Sequence, residues 1–461
     1  MGTQVAPPDL MWKPHMQNTG SSAIRLSVLW HWLRSSFWFV PSVMLVAAGV
    51  LSYITIEVDR LDLKDDHFTA WWLYSGSIDG AREILSTISS SMITVAGVVF
   101  SITIVVLSLA SSQFGPRLIW NFMHDIGNQV VLGMFVSTYI YCLLILGTID
   151  SNVENQFIPH ISITVGILLG LTSLGVLIYF IHHISSSIHA NSVAAAVWRD
   201  LEMTIHKHLP QNATRSRQSA ADLDEDFSAG VCPVPAHKSG YLEATNLEGL
   251  LKIAIERNLV LKIEYRAGHF IVKGNCLLLA KPAERVDAFL ADEMNRAFII
   301  GPQRTPEQDI EFSIHQLVEI AVRALSPGVN DPFTAMTCID WLGAALCDFL
   351  TRENTSRCLF DAGGRLRVIV PQFTFPRLMD AAFNNIRQHA RTDASVTIRL
   401  LESLAAIAGR VRKAEDIASV TRHAHMVKRG SDEGLYEQND RKDVETRFRR
   451  VMEAIESKRV P

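Results

Sequence analysis

Four long stretches of this chain contain no Asp, Glu, Lys or Arg, and they restrict its fold more than any other feature. They run from about Phe37 to Ile56, Ile84 to Ser112, Gln129 to Ile149 and Ile161 to Ile181. A helix of roughly 20 apolar residues crosses a hydrocarbon core about 30 Å thick, so each stretch is long enough to span. All four lie within the first 190 of 461 residues. Mean hydropathy is positive although 20% of residues are charged, because the charge is concentrated behind the fourth stretch. The split predicts an α-helical membrane domain of four transmembrane helices, followed by a cytoplasmic α+β domain. The first stretch is too long for a cleavable signal and follows about 35 residues of chain.

Lys and Arg set the orientation. Lys13, Arg25 and Arg34 precede the first span, and Arg117 lies between the second and third. The third connection carries only Asp150 and Glu154, while in the first Arg60, Lys64 and Arg82 stand among acids. The positive-inside tendency then puts both termini in the cytoplasm. Trp30, Trp32 and Trp38 before the first span, and Trp71, Trp72 and Tyr74 after it, are expected at headgroup level. The six cysteines include no C-x-x-C pair, which fits a reducing compartment and suggests neither a disulfide framework nor a zinc site. A net charge of −4, with no basic-aromatic run, argues against nucleic acid as a partner.

The second span differs from the others. It is longer than a bilayer requires, and Thr87, Thr94, Ser101 and Ser108 recur every seven residues, with Ser91 and Ser112 beside the same stripe. At 3.6 residues per turn they share one helical face. A polar stripe on an apolar helix faces water or another helix. One reading is a pore lining with candidates Thr87, Ser91, Thr94, Ser101 and Ser108. The other is close packing, for which small hydroxyl residues are also suited. Gly166 and Gly170 in the fourth span, and Gly133 and Ser137 in the third, read as helix contact faces. No ionisable group lies inside a span, which favours a passive pore over a proton-coupled carrier.

The expected organisation is a cytoplasmic segment over 1–35, the membrane domain over 36–184, a helical stalk over 185–210 and a polar linker over 211–239. A small β-rich domain follows over 240–303, then an α+β domain over 304–412 and a charged helical tail over 413–461. His182, His183 and His189, near the fourth span, can be pictured as a metal or pH-sensing site, but no carboxylate or cysteine completes a ligand set, so they read as interfacial fillers. Leu259–Tyr265 and Phe270–Leu279 predict a hairpin around Arg266-Ala-Gly268. The run Gly268-His-Phe-Ile271-Val-Lys-Gly274-Asn-Cys-Leu277 resembles the G-x-x-V-x-x-G-x-x-L turn of biotinyl/lipoyl-type half-barrels. No attachment lysine motif follows, so a small structural β-barrel is expected and no cofactor.

Thr305-Pro-Glu-Gln308 predicts a capped helix start. Along that helix Glu311, His315, Glu319 and Arg323 follow at i,i+4, a pattern of a solvated face or of a divalent-metal row. The loop Ser326-Pro-Gly-Val-Asn-Asp331-Pro-Phe-Thr334 is either a well-built corner between helices or a ligand loop, with Ser326, Asn330, Asp331 and Thr334 as candidates. A second hairpin is expected from Cys358–Phe360 and Arg365–Val370. No nucleophile elbow, zinc-protease motif, Walker A or dinucleotide fingerprint occurs, so the chain is not expected to be an enzyme.

The stretches Ser35-Ser-Phe-Trp-Phe-Val-Pro41, Ala110-Ser-Ser-Gln-Phe-Gly-Pro116-Arg, Tyr179-Phe-Ile-His-His183-Ile and Arg323-Ala-Leu-Ser-Pro-Gly-Val-Asn-Asp331-Pro-Phe-Thr334 resemble the predicted bacterial membrane proteins grouped as domain-of-unknown-function family 2254. The likeness extends over about residues 25 to 430. It implies a bacterial inner-membrane location and supplies no activity. The expected function is a homo-oligomeric passive channel for a small ion or solute, lined by the second span and assembled or gated by the cytoplasmic domain. The competing expectation is a membrane-anchored sensor or scaffold.

Overall fold

The computed structural model describes residues 38–61, 73–115, 125–149, 157–187, 189–209, 227, 229–352 and 358–458. The expected segment 1–35, most of the linker and the basic or acidic loop residues Arg117, Asp150 and Glu154 lie outside them. The chain divides into two compact units, one of residues 1–105 and 120–183, the other of 106–119 and 184–461.

The first unit is helical. Its helices are α1 (Phe39–Leu61), α2 (Ile78–Phe114), α3 (Ile126–Thr148) and α4 (His160–Ser187), and the last residues of α2 and α4 belong to the second unit. All four helices supply one core, through Ala48 and Ile56, Ala81 and Leu85, Tyr141, Cys142 and Ile145, and Ile163. The glycines set the approach distances. A Cβ on Gly133 would stand 2.6 Å from Met44 Sδ and 3.2 Å from Pro41 Cα, so α3 lies close on α1. A Cβ on Gly166 would stand 3.0 Å from Leu85 and one on Gly170 3.3 Å from Ile88, which brings α4 onto α2. The small-residue faces are contact faces, as their spacing predicts. Thr138 and Ser173 add a 3.2 Å hydroxyl pair between α3 and α4.

At one end of this unit, Asp59 in the last turn of α1 caps α4. Its carboxylate accepts from Ile161 N and Ser162 N, both at 2.9 Å, and from Ser162 Oγ at 2.6 Å. These are amides that a helix leaves unpaired at its start. At the other end Asp125 caps α3 through Gly127 N at 2.8 Å.

The second unit contains two sheets and a helical layer. Its strands are β1 (Cys232–Pro235), β2 (Gly240–Thr245), β3 (Val260–Ile263), β4 (Phe270–Ile271), β5 (Cys276–Lys281), β6 (Phe298–Gly301), β7 (Cys358–Phe360) and β8 (Leu366–Ile369). Five form a sheet in the order β1-β5-β3-β8-β7, and three form another in the order β4-β2-β6. Among the described residues both sheets are open, where a small barrel is expected from the sequence. Helices α6 (Leu247–Glu256) and α7 (Ala288–Asn295) share a core with them, which includes Leu242, Leu250, Leu261, Leu278, Leu290, Phe298 and Val368.

The expected pairing of β3 with β5 is present, with Ile263 opposite Leu278, but the connection is not a simple hairpin. Gly268, at φ +89°, donates its N–H to Leu242 O at 2.8 Å and turns the chain into the other sheet, where β4 pairs with β2. The second hairpin forms as expected. Asp361 Oδ1 accepts from Gly363 N and Arg365 N at 3.0 and 2.9 Å. Its strand β8 runs parallel to β3, Leu261 opposite Val368, so residues beyond position 304 complete the sheet of the β-rich region.

The helical layer comprises α5 (Ala190–His208), α8 (Ile310–Ala324), α9 (Pro332–Thr351), α10 (Phe375–Ala390), α11 (Ala394–Ala408), α12 (Ala414–Gly434) and α13 (Gln438–Glu456). Helix α5 occupies most of the expected stalk and packs on α8 and α9, with Trp198 stacked on Trp341 at 4.4 Å between ring centroids. The charged C-terminal region forms α12 and α13, and α13 buries Val444, Val451 and Ile455. Among the described residues five helices are long and apolar enough to cross a membrane by length and composition: α1, α2, α3, α4 and α9.

Candidate functional site

Helix α2 carries the hydroxyl stripe. Its buried positions are Ala81, Leu85, Ser89, Ala96, Val99, Val106 and Ala110. Thr87, Ser91, Thr94, Ser101 and Ser108 are all exposed. At 3.6 residues per turn the two sets lie on opposite sides of the helix, so the stripe faces away from the chain's own packing. Ser91 Oγ bonds back to Thr87 O at 2.7 Å and Thr94 Oγ1 to Ser90 O at 2.8 Å, which satisfies those hydroxyls locally. Ser101 and Ser108 hydroxyls have no hydrogen-bonding partner among the described residues.

The polar row of α8 corrects the sequence reading. The helix begins at Ile310, later than the Thr305-Pro-Glu-Gln308 signal predicts, because Asp309 takes the capping role by accepting from Phe312 N at 3.2 Å. Gln308 instead hydrogen-bonds both backbone groups of Thr245, at 3.0 and 3.2 Å. Glu311, His315, Glu319 and Arg323 are not a solvated face. Glu311 is 7% exposed and accepts from Arg266 Nη2 and, at 2.7 Å, from Arg377 Nε. Arg304 donates to Asp309 at 2.6 Å and to His315 Nδ1 at 3.3 Å. Glu319 fills the space beside Gly115. Arg323 Nη1 donates to Ser111 O and Ser112 O at 3.2 and 2.7 Å.

Arg266 is itself buried and lies over the Phe373 ring, its guanidinium carbon 4.5 Å from the centroid. Burial lowers its pKa, a shift that Glu311 opposes. His269 is pushed down to about 4, by burial first and then by Arg266 and Arg377. The neutral imidazole accepts from Arg377 Nη2 at 3.1 Å, because a guanidinium has only donors. The cluster is an ion-pair network that ties the β3–β4 connection, α8 and α10 together.

Ser326, Asp331 and Thr334 bond within the α8–α9 corner, while the Asn330 side chain is exposed. Ser326 Oγ donates to Arg323 O at 2.6 Å, and Thr334 N and Oγ1 donate to Asp331 at 3.1 and 2.5 Å. Asn330 holds φ +50° and donates its N–H to Ser326 O at 2.9 Å. Val329 and Phe333 remain exposed.

His183, treated in the sequence as lacking a carboxylate neighbour, has one. Its Nε2 lies 2.6 Å from Asp125 Oδ2, and Tyr179 stacks on it at 5.4 Å. His182 and His189 are exposed. No group of three or more His, Cys, Asp or Glu is placed to hold a metal among the described residues. Asp125, Asp59 and Arg266 escaped the sequence reading because each meets its partner across 45 or more positions. Between α9 and α11 a groove of about 320 Å³ is lined by Asp340, Cys347, Arg399, Glu402, Ser403 and Arg410.

An apolar multi-helix unit joined to an α+β unit is the architecture of a membrane protein with an attached water-facing domain. The chain matches the family described as "Predicted membrane protein (DUF2254)" over residues 34–406, and it belongs to that family. It is 27% identical to uncharacterized proteins of Mycobacterium tuberculosis and Mycobacterium bovis, over 98% of this chain and 87% of theirs. No solved structure matches it.

Proposed function

We propose that this membrane protein is a homo-oligomeric passive channel of the bacterial inner membrane, lined by α2 and assembled or gated by a cytoplasmic α+β unit. Helices α1 to α4 cross the bilayer. Helix α9 does not, because it is packed among α5, α8 and α11. The observation that carries this reading is the outward hydroxyl face of α2, above all Ser101 and Ser108. In a single chain surrounded by lipid those hydroxyls could bond only back to carbonyls of their own helix, with no partner across the packing among the described residues. Several α2 helices around one axis would turn them toward water or one another. The permeant species is a small ion or solute, and no enzymatic step or cofactor is invoked.

Purified protein in liposomes is expected to pass small ions, and Ser101→Leu to reduce the flux. Its mass in detergent is expected to be a multiple of the single chain. A monomer whose flux is unchanged by Ser101→Leu would overturn the proposal. The second reading, a membrane-anchored sensor or scaffold, is favoured by the mixed-charge groove between α9 and α11, and it would then stand.

A further inference from the structure

Helix α2 is 37 residues long, about 55 Å at 1.5 Å per residue, and its C-terminal end is held by the α+β unit. The carbonyls of the last turn have no partner within a helix. Here Arg323 supplies one to Ser111 and Ser112. Gly115 follows at φ +109°, and Glu319 occupies the space that a side chain there would need. Exposed apolar surface continues along α2 almost to this cap, through Val105 and Leu109. Leu109 precedes Ser112 by three residues, a rise of about 4.5 Å. The apolar stretch of α2 therefore reaches within one turn of Ser112, the carbonyl that Arg323 holds.

The α8–α9 loop starts two residues after Arg323 and returns to the same place, because Asp331 N donates to Ala324 O at 2.8 Å. This loop inverts the usual arrangement of a turn. Its hydroxyls and its carboxylate bond to the loop itself or to the end of α8, while Val329 is 50% and Phe333 75% exposed. Exposed apolar side chains scattered singly need no explanation. Val329 on the loop and Phe333 in the first turn of α9, beside the capped end of an apolar helix and next to an arginine, match the composition of a headgroup-level contact, where aromatic and basic residues gather.

We infer that Val329 and Phe333 enter the interfacial layer of the phospholipid bilayer beside the end of α2. The inference rests on α2 spanning the membrane and not on its lining a pore. Contact with lipid would fix the α8–α9 corner, and Arg323 with it, at a set depth.

The test uses the full chain in vesicles of phosphatidylethanolamine and phosphatidylglycerol. An environment-sensitive fluorescent amino acid is placed at position 333, at 436 or at 171. Tyr436 is 95% exposed in the α+β unit, and Leu171 is exposed midway along α4, away from the hydroxyl stripe of α2. Emission from 333 should be blue-shifted relative to 436, and a lipid nitroxide near the headgroup should quench it at least two-fold more. Emission from 171 should be quenched best by a nitroxide deep in the acyl chain. If 171 is quenched and 333 behaves like 436, the loop inference fails and the spanning reading survives. If 333 is blue-shifted but not quenched by lipid nitroxides, a protein surface covers it and the inference also fails. If 171 is unquenched, the spanning reading fails and the inference with it.

Discussion

Replacing Glu311 by alanine removes the counter-ion of a guanidinium that water scarcely reaches. Arg266 is 7% exposed. Apart from Glu311 it donates to Gln372 O at 3.3 Å and rests on the Phe373 ring. An arginine does not escape by losing its proton, so Glu311→Ala leaves an uncompensated buried charge. Breaking a buried pair in this way costs about 3–5 kcal/mol. For a unit of this size about 1 kcal/mol corresponds to roughly 2–4 °C, so the melting point of the α+β unit should fall by about 6–20 °C. The assay is intrinsic fluorescence during thermal unfolding of the full chain in detergent, because the Trp198–Trp341 stack lies inside that unit. Buried pairs are often replaced by apolar residues at little cost, so Glu311→Ala with Arg266→Met should recover most of the loss. A Glu311→Ala protein melting within about 2 °C of the wild type, or a double variant no better than the single one, would refute the assignment of this cluster as a stability-bearing ion network.

Two further outcomes follow from the packing and the charges. Gly133→Val should lower resistance to denaturing detergent by about 1–3 kcal/mol, because its Cβ position meets Met44 and the backbone of Pro41. Gly147→Val, with nothing within 4 Å of its Cβ position, should be near neutral, and equal effects would contradict the α1–α3 contact. Between about pH 6.5 and 4 the unfolded chain protonates His269 while the folded one does not. Stability of the α+β unit should therefore decline as pH falls through that window, and His269→Gln should flatten the decline. An unchanged slope in melting point against pH would rule out His269 as its source.

Much of the helical unit could be read from sequence because the constraint is local. A run of about 20 residues without charge has few explanations, and the Gly133, Gly166 and Gly170 spacings predict contact faces without any knowledge of the partner. The hydroxyl stripe could be read to the same degree: periodicity placed it on one face, but only the packing of Leu85, Ala96 and Val99 revealed that this face points away from the chain. The failures were nonlocal. A carboxylate–histidine–carboxylate row at i,i+4 has the same spacing whether its partners are water or arginines, and Arg266 and Arg377 stand 45 and 66 positions from Glu311. The start of α8 falls later than the Thr305 signal predicts for a similar reason: Thr245, 63 positions away, engages Gln308, the glutamine of that signal, and Asp309 caps the helix.

That contrast bears on how α2 works. Its membrane stretch follows from composition, whereas its end depends on α8, more than 200 positions later in the chain. Had the α8 row been a solvated face, the last carbonyls of α2 would be left to water. Instead Arg323 bonds directly to its last carbonyls and Glu319 packs on the glycine behind them. Any rearrangement that shifts α8 must either carry the end of α2 with it or break two charge-assisted hydrogen bonds, each worth about 1.5–3 kcal/mol.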